Sequence, residues 1–341
     1  MASRLTKALF TPSAGSDGLR LGLGGAPLGN LFAPVAPADA QATIDAAWQG
    51  GCRSFDTAPH YGHGLSERRL GDALRAHPRD SFVLSTKVGR LLTANAAAAP
   101  DQHGYVGGLP FSQHWDYSAA GVRRSLEDSL QRLGLARIDV AHIHDCDAAT
   151  HGAQAGAVLR QVLDVTLPTL QRMKAEGTIR AVGLGVNDVD VVQAVLREAG
   201  IDALMLAGRY SLLDHRALAL LEACSARGVH VALGGVFNSG LLATGTRSGA
   251  GLPMFDYGPA PREWLERTAR IEALCATHAV PLRAAALKFV LAHPAAEIVM
   301  LGARTAPEWH DAQAMLRVPI PPAFWQALRG AGLLPDAAPT P

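Results

Sequence analysis

Four ionisable residues of four types carry most of the chemistry this sequence can offer: Asp56, Tyr61, Lys87 and His144. Asp56 ends the β-biased run CRSFD, Tyr61 follows in a loop punctuated by Pro59 and Gly62, and a helical pattern opens at Ser66. An Asp and a Tyr so placed converge only if the chain turns sharply after a strand. Lys87 closes FVLSTK and His144 closes IDVAHIH, so each of the four sits at or just beyond the end of an apolar, β-type segment. These types suit proton exchange at an oxygen. Free tyrosine titrates near pH ~10, so about three units, or roughly 4 kcal/mol, oppose its use as a base at neutrality. A lysine ammonium within ~4–6 Å favours the phenolate, and a carboxylate paired with that lysine keeps it charged and oriented. Tyr61 would exchange the proton, Lys87 and Asp56 would tune it, and His144 would orient the substrate oxygen. With no nucleophile or metal-ligand set in the pattern, hydride transfer to or from a nicotinamide is the reaction these residues fit.

Each residue alone has a plainer reading. A strand-end Asp is commonly a turn or helix cap, a lone Lys a solvated group, and a His within HIHD a half-buried side chain. His142 shares a strand face with His144 but lies deeper, as a core position. A metal on His142, His144 and Asp145 lacks a further ligand implied by spacing, so none is expected.

The elements that must position the four alternate regularly. Strand-like runs occur at 19–25, 52–56, 82–87, 138–144, 178–186, 201–206, 229–235 and 297–301, and amphipathic helical patterns separate them. Asp39 reads as the cap of the first helix and Ser118 as the cap of another, whose stripe Val122, Leu126, Leu130 and Leu133 ends at Gly134. Later helices are expected at 189–199, at 215–227, between Trp264 and Ala292, from about Thr305, and at 322–334. Eight such units imply a closed, parallel, eight-stranded (β/α)8 TIM barrel in the α/β class, as a single domain over 1–341. Loops after the strand C-termini share one rim, and all four residues map there. The stretch from about 90 to 117 is long for a connection and reads as a lid; a second long Gly-rich loop runs 235–261.

Composition narrows the class. The 341 residues are 48% hydrophobic, with Lys+Arg 31 against Asp+Glu 30 for a net charge of +1, so neither a nucleic-acid nor an anionic-membrane partner is implied. Cys52, Cys146, Cys224 and Cys275 lack CxxC spacing and read as buried thiols in a reducing, cytoplasmic setting. The start MASRLTKALFTP reaches a proline before any export-type apolar core develops.

Two Gly-rich stretches could meet a phosphate. LGLGGAPLGN (21–30) misplaces its third glycine for a dinucleotide loop, and Pro27 interrupts the turn. LGARTAPEW (301–309) sets Arg304, Thr305 and backbone N–H groups at a strand-to-helix junction, where an anion could bind; an ordinary helix cap beside a surface arginine gives the same pattern.

With these motifs in view, the sequence resembles the aldo-keto reductase superfamily from about Leu19 to Leu316, through LGLGGAPLG, FDTAPHYGHGLSERRLG, STK, SLEDSLQRLGL, IDVAHIH, IRAVGLGV, GLL and LGART. More narrowly, APHYGHGLSERRLG, WDYS, LAGRYSLLD and GGVFNSGLLA resemble its sugar-oxidising branch of L-fucose, D-threo-aldose and L-galactose dehydrogenases, with pyridoxal 4-dehydrogenase a neighbour. The resemblance implies a tetrad of Asp56, Tyr61, Lys87 and His144 and oxidation of an aldose to a lactone with NAD or NADP. It also implies cofactor contacts at Asn187, Met205, Phe237, Asn238, Gly240, Leu241, Gly302, Ala303, Arg304, Thr305 and Glu308, and substrate contacts at His60 and Trp115. Departures concern the cofactor: GVN stands for the usual Ser-Asn pair, Met205 for a glutamine, Gly234-Gly235 for a stacking aromatic, and Ala312 for a frequent Asn. Pyridoxal oxidation, general aldehyde reduction and a nicotinamide-binding redox sensor with little catalysis are the remaining readings.

Overall fold

A computed structural model describes residues 8–11, 19–246 and 252–341. Most of the segment read against export, and residues 247–251 of the second Gly-rich loop, lie outside the described residues. Eight parallel strands close into a barrel: β1 (Leu21–Gly24), β2 (Ser54–Asp56), β3 (Val83–Val88), β4 (Val140–His144), β5 (Ala181–Val186), β6 (Ala203–Ala207), β7 (His230–Gly234) and β8 (Ala296–Gly302). Pairing of β1 with both β2 and β8 removes the open edges that a parallel sheet of this length would otherwise expose. The strand assignments made from apolar runs therefore hold, with ends displaced by at most three residues.

The barrel interior is filled from strand starts and middles by Val83, Val140, Ala181, Ala203, Met205, Ala232, Ile298 and Met300. Phe10 completes this cluster. It is fully buried, its ring stacks 6.4 Å from that of His142, and its N–H donates to Glu297 Oε1 at 2.6 Å. Since Glu297 lies at the entry of β8 and the Phe10 carbonyl accepts from Ser54 at the entry of β2, the segment 8–11 closes the N-terminal end of the barrel. Sequence pattern gave no sign of this plug.

Helices cover the outside. Ser118 caps the helix Ala119–Leu133 by accepting from Gly121 N at 3.1 Å, and Gly134 ends it with φ +62°, as expected. Its buried Val122, Leu126 and Leu133 face the barrel, each contributing roughly 1.5–3 kcal/mol of burial. The first helix differs from its reading. It spans Pro37–Gln49 with Pro37 in the first turn, because proline's fixed φ and missing N–H suit that position better than a cap at Asp39. The stretch at 215–227 shortens to Leu218–Ala226, and 264–292 divides into Arg262–Thr277 and Leu282–Ala292. The presumed lid contains an antiparallel hairpin of Arg90–Ala94 with Phe111–Trp115, and its tip is tied to the loop after β1 through Phe32 N to Gly104 O at 2.9 Å. No single helix among the described residues is long and apolar enough to cross a membrane.

Candidate active site

Strand register brings the four residues to one rim. Asp56 pairs with Ser85 across β2 and β3, Lys87 with His142 across β3 and β4, and His144 with Gly185 across β4 and β5. Lys87 Nζ donates to Asp56 Oδ2 at 2.6 Å and to the Thr57 carbonyl at 2.9 Å, while Ser85 Oγ donates to Asp56 Oδ1 at 2.7 Å. Both ions are buried, so each is answered by the other as a buried charge must be. Glycine makes room for this. A Cβ at Gly185 would stand 3.2 Å from Lys87 Cδ, and one at Gly183 would stand 2.5 Å from His142 Nδ1, which is why AVGLGV carries glycines inside a strand. On the outer side, buried Glu67 accepts from Thr86 and Arg132 and ties β3 to two helices.

Lys87 Nζ lies 4.5 Å from the centre of the Tyr61 ring, and the His144 ring meets Tyr61 edge-on at 6.2 Å. The expected proton tuning comes out differently. Burial, and then the Asp56 carboxylate, push the Tyr61 phenol well above its ordinary value. The ammonium does not reverse this, because Asp56 at 2.6 Å already answers its charge. Tyr61 therefore rests as the neutral phenol. His144 is held well below its ordinary value by burial and then by Arg90 and Lys87, so it rests as neutral imidazole.

These groups open on a cleft of about 830 Å³ whose walls include His60, Tyr61, Lys87, His144, Asp145, Asn187, Met205 and Tyr257. Of the residues expected to hold a nicotinamide cofactor, Asn187 and Met205 line it. Asn238 is buried with its Oδ1 unpartnered among the described residues, an acceptor that suits a bound donor. Arg304 N–H donates to Glu308 Oε2 at 2.8 Å and Glu308 N–H to Thr305 Oγ1 at 3.3 Å, so the helix end read as an anion site already carries a carboxylate. Gly302 ends β8, and Gly240, at φ +103°, precedes the short helix Leu241–Thr244. The side chains of Leu241 and Ala303 are buried in the core and Phe237 packs against it, which leaves these three mainly backbone groups to offer.

Trp115 corrects the sequence reading more clearly. It does not line the cleft; Arg90 stacks on its ring at 3.8 Å, and Tyr117 and His151 pack beside it. His60 does line the cleft. His142 is fully buried beneath Lys87, as a core position should be. Sequence reasoning missed Asp145 as part of the site wall, and Arg90 and Gln113 as the residues behind it; the only signal was the lone acid after HIH, considered there as a metal ligand. Among the described residues no group of three His, Cys, Asp or Glu is arranged to hold a metal ion.

The chain is 41% identical over 328 residues to pyridoxal 4-dehydrogenase of Microbacterium luteolum, covering 92% of this chain and 94% of that protein. It is 38% identical over 341 residues to D-threo-aldose 1-dehydrogenase of a Pseudomonas species, covering 95% and 98%, and 31% identical over 296 residues to L-galactose dehydrogenase of Arabidopsis thaliana, covering 84% and 82%. The solved aldo-keto reductase AKR11C1 of Bacillus halodurans, in its holo form, shares the fold with a TM-score of 0.71 at 24% identity, over 95% of each chain. A model of the aldo/keto reductase family matches residues 20–332, and with the closed eight-stranded barrel beneath it, this chain belongs to the aldo/keto reductase family of oxidoreductases.

Proposed function

We propose that the protein is an NAD(P)-dependent aldose 1-dehydrogenase that oxidises the anomeric hydroxyl of an L-fucose, D-arabinose or L-galactose type of sugar to the lactone. The carrying observation is the buried Asp56–Lys87 pair set under the Tyr61 ring, with His144 edge-on to it at the wall of the cleft. Asn187, Met205, Asn238 and the helix end at Arg304 and Thr305 are the residues to hold the cofactor. When bound, the nicotinamide supplies the acceptor for the hydride from C1. Tyr61, in its phenolate form, takes the proton of the anomeric hydroxyl as the carbonyl forms, and His144 donates a hydrogen bond to that oxygen. Since burial favours the neutral phenol, the oxidation gains rate as pH rises, while in the reverse direction the same phenol is a ready proton donor. Glu308 at the Arg304 end supports NAD over NADP, because a 2′-phosphate there would meet a carboxylate. The buried thiols Cys52, Cys146, Cys224 and Cys275 suit the cytoplasm.

Pyridoxal oxidation is the second reading, supported by the 41% identity to a pyridoxal 4-dehydrogenase. A panel of L-fucose, D-arabinose, L-galactose and pyridoxal, read at the reduced-nicotinamide absorbance with NAD and NADP in parallel, separates the two. Replacing Tyr61 by Phe is expected to lower turnover ~10²–10⁴-fold. Undiminished turnover in Tyr61→Phe refutes the mechanism, and no absorbance change with any substrate favours a redox sensor.

A further inference from the structure

Resting on the aldose reading, we infer that Asp145 selects the substrate by accepting a hydrogen bond from the hydroxyl beside the reacting carbon, and that Arg90 is the positioning residue that holds it there. Arg90 is largely buried and does not line the cleft, yet both arms of its guanidinium lead to groups that do. Nη2 donates to Asp145 Oδ2 at 2.5 Å. Nη1 donates to Gln113 Oε1 at 3.0 Å, and the same oxygen pairs with His60 Nδ1 at 2.9 Å. Stacking on Trp115 at 3.8 Å fixes the plane of the fork.

The two ends of the fork are both acceptors. Gln113 Oε1 can only accept, so His60 Nδ1 carries the proton and Nε2 keeps its lone pair; burial, with Arg90 adding to it, pushes His60 down to about 2 and keeps the ring neutral. Asp145 Oδ2 also lies 3.4 Å from His144 Nε2, while Oδ1 takes no hydrogen bond from any described residue. The backbone of Asp145 is held at φ +43°, an uncommon conformation for a side-chain-bearing residue. Its N–H donates to Gly185 O at 3.1 Å, and its carbonyl accepts from Tyr117 Oη at 3.3 Å. A plain tie between the hairpin and the barrel would need one arm of Arg90 and no unengaged carboxylate oxygen on the cleft wall. The arrangement instead sets a charged acceptor beside His144 and a neutral one beside Tyr61, which suits a ring bearing several hydroxyl donors better than a simple aldehyde.

The test is a cycle of enzyme and substrate. An aldose and its 2-deoxy analogue are compared in the wild type, Asp145→Ala, Asp145→Asn and Arg90→Lys, with NADH binding followed by fluorescence and folding by circular dichroism. A charge-assisted hydrogen bond predicts that the wild type prefers the parent sugar by roughly 10- to 150-fold in kcat/KM. Asp145→Ala should lose that factor on the parent, mostly through KM, and lose little on the deoxy sugar, with NADH affinity unchanged. Arg90→Lys, which keeps the charge but not the fork, should raise KM for the parent in the same way. Equal losses on both sugars, or lost preference only alongside lost NADH affinity, overturn the inference. If Asp145→Ala does not fold, Asp145→Asn is read in the same cycle, with a smaller but still parent-specific loss expected. A wild type that oxidises aldoses while Asp145→Ala and Asp145→Asn keep full deoxy discrimination sinks this inference alone. A wild type that oxidises no aldose sinks the aldose reading and this inference with it.

Discussion

Acid should unfold this protein through its buried imidazoles rather than titrate its site. His63 and His142 are fully buried and His144 is 5% exposed. Both ring nitrogens of His63 and His142, and Nδ1 of His144, lack a hydrogen-bond partner among the described residues. Burial pushes His63 down to about 4 and His142 to about 3, and holds His144 well below its ordinary value. The folded values are depressed, so stability is complete above the unfolded value near ~6.5 and falls as pH drops below it, levelling only near the folded values. At pH ~5.5 each group removes roughly 1–2 kcal/mol, so these three together remove about 4 kcal/mol, and His60, pushed down by burial to about 2, and His215, pushed down by burial to about 4, add to the loss in the same sense, against a total stability of about 5–15 kcal/mol. Asp145, raised by burial, works in the opposite sense as a single group. Urea unfolding followed by far-ultraviolet circular dichroism between pH 7.5 and 4.5 should show this slope, and His142→Leu should remove roughly 1–2 kcal/mol of the loss at pH ~5.5. Turnover in the reductive direction, where the neutral Tyr61 phenol is the proton donor, and ellipticity should be lost together, since His144 remains neutral while the fold lasts. Stability that stays flat from pH 6.5 to 5, or turnover that titrates near pH 6.5 with the fold intact, would refute the reasoning.

Two further outcomes follow from the ion pairs. Asp56→Asn and Lys87→Met should each destabilise by about 3–5 kcal/mol, because each strands the other buried charge, and the double variant should lose clearly less than their sum; additive losses in urea titrations would show that the pair is not coupled. Glu308→Gln should shift the ratio of NADP to NAD dissociation constants about 2- to 5-fold toward NADP, the effect of one exposed charge, and an unmoved ratio would place the 2′-position elsewhere.

The barrel was legible because its signals are local. Apolar runs of strand length, helical stripes such as Val122–Leu126–Leu133 and stops such as Gly134 need only neighbours in the chain to be read. Placement of Asp56, Lys87 and His144 followed at once, since the end of a parallel barrel strand is a place in space as well as in sequence. Tyr61 was placed but its proton was misjudged. Type and spacing suggest an ammonium near a phenol, whereas the sign of the shift is set by burial and then by the closeness of the Asp56 carboxylate, neither of which the sequence contains.

Trp115 shows where local reading stops. A tryptophan on a loop beside a predicted site reads as a wall for substrate, and here its ring carries Arg90 instead. Arg90, Gln113, His60 and Asp145 come from four separate segments, so no periodicity could join them, and each alone passes for a surface polar residue. What joins them is the hairpin formed inside a stretch that reads only as a long loop: it pairs Arg90 with Trp115 in register and thereby faces a guanidinium toward the end of β4. The tetrad sits on barrel strands and the loop that leaves one of them, all parts that a sequence reveals. The groups that would choose among substrates hang on a lid element whose structure arises from pairing across 17 or more residues, and substrate choice is for that physical reason the least readable part of the chain.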